Sequence, residues 1–136
     1  MILDSQQSVL IVDSSAETRE VLQTALERHG VRILSASRAR RGLELAREHH
    51  PDLIVLDLEV DGANAENPSA PFAEQSRTDC APLVLLGTVR RGKPAMATEF
   101  VSKPYHYGPL IRKIEELLQG CRKSQGERSE PCRHCS

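Results

Sequence analysis

The chain has 136 residues, 39% of them hydrophobic and 27% charged, which suits one globular domain and excludes wholesale disorder, collagen-like repeats and mucin-like stalks. Eighteen basic residues against nineteen acidic ones leave a net charge of -1, too balanced for binding nucleic acid through an overall field. The longest apolar runs, such as VLIV and LIVL, fall far short of the ~20 residues of a membrane helix, and MILDSQQ at the N-terminus is no targeting signal. Cys80 stands apart while Cys121, Cys132 and Cys135 crowd the C-terminus, which is no disulfide framework for a core. A cytoplasmic address, without membrane or nucleic-acid partners, is expected.

Taken in order, the chain alternates short apolar runs with longer amphipathic stretches, the pattern of βα units around a parallel sheet. VLIV (Val9 to Val12), LIVL (Leu53 to Leu56) and LVLL (Leu83 to Leu86) are continuous apolar runs, as in strands covered on both faces. VRILSA (Val31 to Ala36) and EFVS (Glu99 to Ser102) are more polar and read as outer strands. After the first strand, Val21, Leu22, Ala25, Leu26 and His29 repeat at helical spacing up to Gly30, with Ser14 and Glu17 in a capping-box relation. A second helix spans roughly Ala39 to His49 and ends before Pro51. The third, broken by Pro68 and Pro71, is expected to be short, covering Ala70 to Arg77; the fourth, within Thr88 to Thr98, is stunted or missing because of Gly92 and Pro94. The last runs from Leu110 to Cys121, with Pro109 suited to its first turn. A domain over 8–120 and a mobile Cys-containing tail over 121–136 are expected.

Ligands of an open doubly wound sheet sit at the carboxyl ends of its strands. There the chain places Asp13, Asp57, Gly87 with Thr88, and Lys103 followed by Pro104. Two acids, a hydroxyl and an ammonium suit a cation and a phosphoryl group.

Over roughly Ser8 to Gln119 the chain resembles the receiver domain of two-component response regulators. The resemblance is carried by VLIVDSS, by HHPDLIVLDLEVDG and by EFVSKPY. It implies a flavodoxin-like (βα)5 three-layer sandwich with strand order 2-1-3-4-5, here with helices 3 and 4 shortened. It also implies that Asp57 accepts a phosphoryl group from a histidine kinase or phosphotransfer protein, with Mg2+ at the acidic site. Lys103 would contact the phosphoryl oxygens across a cis Lys103–Pro104 peptide.

Three departures modify that expectation. Ser14 stands where the family has a second acid, which weakens Mg2+ binding and leaves Asp13, Asp57 and, as a compensating acid, Glu59 as metal ligands. The fourth-strand hydroxyl position falls on Gly87, with Thr88 one residue late, so its inward link to Phe100 is weakened. The loop pattern MPGMDG is reduced to VDG.

Cys121, Cys132, His134 and Cys135 are enough donors for tetrahedral zinc, but with a single Cys-x-x-Cys pair an unligated, reduced tail is expected. Arg38, Arg40 and Arg41, and separately Arg90, Arg91 and Lys93, form basic clusters that read first as solvated surface. Without a nucleotide loop or nucleophile elbow the chain is not read as a classical enzyme. The expectation is a stand-alone, phosphorylated receiver that signals through a downstream protein partner. The alternative is a degenerate receiver that binds its partner without phosphorylation.

Overall fold

The five expected strands form one parallel sheet in the order β2-β1-β3-β4-β5. A computed structural model of the chain describes residues 6–62, 65–88 and 98–127, with side chains through residue 120. The strands are β1 (Ser8–Val12), β2 (Arg32–Ala36), β3 (Leu53–Asp57), β4 (Leu83–Gly87) and β5 (Glu99–Ser102). The helices are α1 (Ala16–Glu27), α2 (Ala39–His49), α3 (Ser69–Asp79) and α4 (Tyr107–Glu127).

Strand periodicity divides the core in two. Leu10, Val12, Ile54, Leu56, Leu83 and Leu85 point to the face covered by α2 and α3, where Leu45, Ala46, Phe72 and Ala73 meet them. Val9, Ile11, Leu53, Val55, Val84 and Leu86 point to the other face, against Leu22 and Leu26 of α1 and Leu110, Ile114 and Leu118 of α4. Burial on both sides explains why β1, β3 and β4 are uninterrupted apolar runs. On α2, Gly42 lies so close to β1 that a Cβ would come within 2.6 Å of Val12 Cγ2.

Several local expectations change. The cap of α1 is Ser15, not Ser14: the Ser15 hydroxyl accepts from the Thr18 N–H at 3.2 Å. Thr18, rather than His29, shares the buried face with Leu22 and Leu26. α3 has 11 residues, as many as α2, because Pro71 sits in its first turn, where a backbone N–H has no helical partner to lose. α4 passes through Gly120 to Glu127 rather than stopping near Cys121. The expected fourth helix falls mainly within 89–97, outside the described residues, as do Arg90, Arg91 and Lys93. Cys132, His134, Cys135 and the Cys121 side chain also lie outside them. Cys80, at the left-handed end of α3, is disulfide-bonded and so does not stand alone as expected.

Among the described residues no helix is long and apolar enough to cross a membrane.

Candidate functional site

Parallel pairing brings the ends of β1, β3, β4 and β5 to one edge of the sheet. The ladder continues one residue beyond the strands: the N–H groups of Asp13, Leu58 and Lys103 donate to the carbonyls of Ala36, Leu86 and Gly87 at 3.0, 2.8 and 2.7 Å. The backbone that carries the polar side chains is thereby held by the sheet, not by a free loop. The Lys103–Pro104 peptide is cis.

Asp57 ends β3 and is 4% exposed. Its Oδ1 lies 2.8 Å from Lys103 Nζ and also accepts from the Glu59 N–H at 3.0 Å. Asp13, 3% exposed, accepts from the Ser15 N–H at 2.9 Å through Oδ1. The Arg19 guanidinium donates to the Asp13 carbonyl at 2.7 Å. Burial pushes the Asp13 carboxyl above its usual range, and the neighbouring Asp57 charge adds to the rise, against the Ser15 N–H and Lys103. Burial opposes the charge on Lys103, but its hydrogen bond and attraction to Asp57, with Glu59 adding, raise its pKa on balance. Beside them Tyr105 is pushed up to about 12 by burial and by the Asp13 charge.

The structure therefore brings together Asp13, Asp57 and Lys103. Glu59 joins them differently from its expected role: its Oε1 lies 3.4 Å from Lys103 Nζ. Among the described residues no group of three or more His, Cys, Asp or Glu side chains is arranged to hold a metal. What remains toward a divalent ion is a pair of buried carboxylates, hard donors whose mutual repulsion a cation would relieve. Exposed Ser14 adds no charge to that pair.

At the β4 end the site is apolar. Gly87 pairs opposite Ser102, and a Cβ on it would lie 2.9 Å from Leu58 Cδ1. Leu58, 1% exposed, thus fills the space beside the strand end. Thr88 follows outside the strand, half-buried. Phe100 lies partly buried against the α2–α3 core, in register with Leu85.

Sequence reasoning missed Arg19, Leu58 and Tyr105. Leu58 was legible only as an apolar residue after Asp57. Arg19 reaches Asp13 from the first turn of α1, a contact that no local motif announces.

Residues 9–67 match the response regulator receiver domain family. Protein PilH of Pseudomonas aeruginosa is 28% identical over 118 residues, covering 82% of this chain and 98% of the relative. The KDP operon transcriptional regulatory protein KdpE of Escherichia coli is 33% identical over 120 residues, and this chain spans about half of its length (51%). Chemotaxis protein CheY4 of Vibrio cholerae superposes with a TM-score of 0.67 at 20% identity, over 83% of this chain and 99% of that one; at that identity the likeness speaks to the fold. Receiver domains are signalling modules rather than enzymes, interact with histidine kinases or phosphotransfer proteins, and generally bind Mg2+ at their acidic pocket. In its match over 9–67, in its relatives and in its sheet order this chain is similar to response regulator receiver domains.

Proposed function

We propose that Asp57 is a phosphoacceptor and that the chain works as a cytoplasmic phosphorelay switch. The observation that carries this reading is the 2.8 Å contact between the Asp57 carboxylate and the Lys103 ammonium at the end of the central sheet. An Asp57 oxygen forms the new bond to phosphorus while the P–O bond of an acyl phosphate or the P–N bond of a phosphohistidine breaks. The leaving carboxylate or imidazole departs with that electron pair.

Such a transfer places anionic oxygens next to a carboxylate, and needs positive charge already in place. Lys103 supplies it from one side, its backbone fixed by Gly87. The Glu59 N–H donates at the Asp57 carboxylate and orients it. Asp13 and Asp57 would hold Mg2+, which when bound supplies further charge neutralisation at the phosphoryl oxygens. With Ser14 neutral, that hold is weaker than a site with one more acid would give. Thr88, half-buried just beyond β4, is the hydroxyl that would serve the phosphoryl group at this end of the site.

The reading is tested by incubation with acetyl phosphate and Mg2+ followed by intact-mass analysis. An adduct of one phosphoryl group, stable in acid and lost in base, is expected on the parent chain and should disappear in Asp57→Asn. No adduct with either acetyl phosphate or a phosphorylated histidine donor overturns it and favours a phosphorylation-independent interaction module.

A further inference from the structure

Asp13 is the first residue beyond β1, and its N–H still belongs to the sheet, donating to the Ala36 carbonyl at 3.0 Å. Its own carbonyl leaves the ladder, because the chain turns there toward α1 through Ser14 and Ser15. The start of α1 takes over the hold. The Ser15 N–H donates to Asp13 Oδ1 at 2.9 Å, the Ser15 hydroxyl accepts from the Thr18 N–H, and the Arg19 N–H donates to the Ser15 carbonyl at 3.1 Å. The Arg19 side chain closes the loop, its Nη1 donating to the Asp13 carbonyl at 2.7 Å.

That last contact is not one the helix needs. A cation in the first turn faces the positive end of the helix dipole, the unfavourable sign for helix formation, and fixing a long side chain costs rotamer freedom. A short, charge-assisted bond from guanidinium to carbonyl offsets both. What it fixes is the peptide between Asp13 and Ser14, and with it the place of the Ser15 N–H that holds the Asp13 carboxylate. That carboxylate is buried beside Asp57. Ser14, exposed and neutral, offers no second acid to make up for a misdirected first one, so the aim of Asp13 depends on the backbone behind it.

Resting on the reading of Asp13 as an acid that holds Mg2+, we infer that Arg19 is a positioning residue for that site: by holding the Asp13 carbonyl it sets the direction of the Asp13 carboxylate, and so the strength with which the chain takes up a divalent cation. Arg19 acts through Asp13 and Ser15, and no contact with the phosphoryl group is assigned to it. Partners that orient a metal-binding side chain in this way govern affinity without touching the ion.

The test is a Mg2+ titration of the full 15N-labelled chain, followed by nuclear magnetic resonance at the Glu59 amide, which donates to the Asp57 carboxylate. Arg19→Met keeps the aliphatic stem and a good helix former but has no donor. It should need about tenfold more Mg2+ for half-saturation than the parent. Its Ser15 amide resonance should already be displaced in the metal-free chain. Arg19→Lys keeps a cation able to serve the single bond made, and should lie nearer the parent than Arg19→Met does. Arg19→Ala carries the same expectation as Arg19→Met and replaces it if that variant gives no folded spectrum. A merely structural arginine would lower the urea midpoint of Arg19→Met and leave the Mg2+ affinity of the folded chain unchanged; that result overturns the inference. So does an unmoved Ser15 amide, or an Arg19→Lys as weak as Arg19→Met. A parent chain whose Glu59 amide ignores saturating Mg2+ overturns the Mg2+ reading of Asp13 and this inference with it, while the adduct on Asp57 is judged separately by mass.

Discussion

The β3 end and the β4 end of the sheet are neighbours, yet they are built by opposite rules. At β3 a buried carboxylate meets an ammonium and a backbone N–H, with a second buried carboxylate, just after β1, close by. At β4 a glycine leaves its side-chain space to a buried leucine. The two ends are therefore held by different physics, paired charges at β3 and apolar packing at β4. A network of paired charges gives up several contacts when one member is lost, whereas an apolar filling tolerates change only within its volume.

The comparison can be broken most severely at Leu58. Replacing this buried side chain by alanine empties the space beside Gly87 and should cost about 2–5 kcal/mol, read as a lower midpoint in urea. If the midpoint hardly moves, the β4 end is not held by packing. Gly87→Ser attacks the same contact from the other side. Its Cβ needs room now held by Leu58 Cδ1, and a loss of about 1–3 kcal/mol is expected by the same measurement. The cost should fall when Gly87→Ser is combined with Leu58→Ala, since the two groups compete for one volume.

The smallest effect is expected at the charged end. Asp13 has its folded-state pKa raised, chiefly by burial and then by Asp57, so the folded chain binds its proton more tightly than the unfolded chain does. Stability tied to this group is fully present below its ordinary value of 3.8 and declines as pH rises through the folded pKa. In metal-free buffer Asp13→Asn should therefore be more stable than the parent at pH 7, with the gap closing toward pH 3, as followed by thermal unfolding. A gap that widens on acidification would reverse the assignment. Added Mg2+ should favour the parent, because it binds the carboxylate that the variant lacks.

Much of this was legible in the sequence. The three continuous apolar runs stood out as β1, β3 and β4 because burial on both faces leaves no polar alternation to misread, the more polar β2 and β5 followed as outer strands, and Asp57 and Lys103 stood out as charges closing apolar or strand-like segments. The helix ends were harder. Ser14 and Ser15 are equally good caps by type, and the choice falls to Ser15, which also gives its N–H to Asp13. Gly120 reads as a stop, but one glycine costs a helix only about 1 kcal/mol, and α4 continues through it. Pro71 reads as a breaker, yet in a first turn it costs little. Glu59 was recognisable as an acid near the site but not as a partner of Lys103, since spacing fixes where a residue stands and not which neighbour its flexible side chain chooses.

Gly42 carries a consequence that reaches beyond packing. The residue that a methyl at this position would strike, Val12, is the last of β1 and directly precedes Asp13. The height at which α2 rides on the sheet and the placement of a buried acid are thus governed by the same missing carbon. A bulkier side chain in a helix, well away from any phosphate, would push on the strand end that positions that acid.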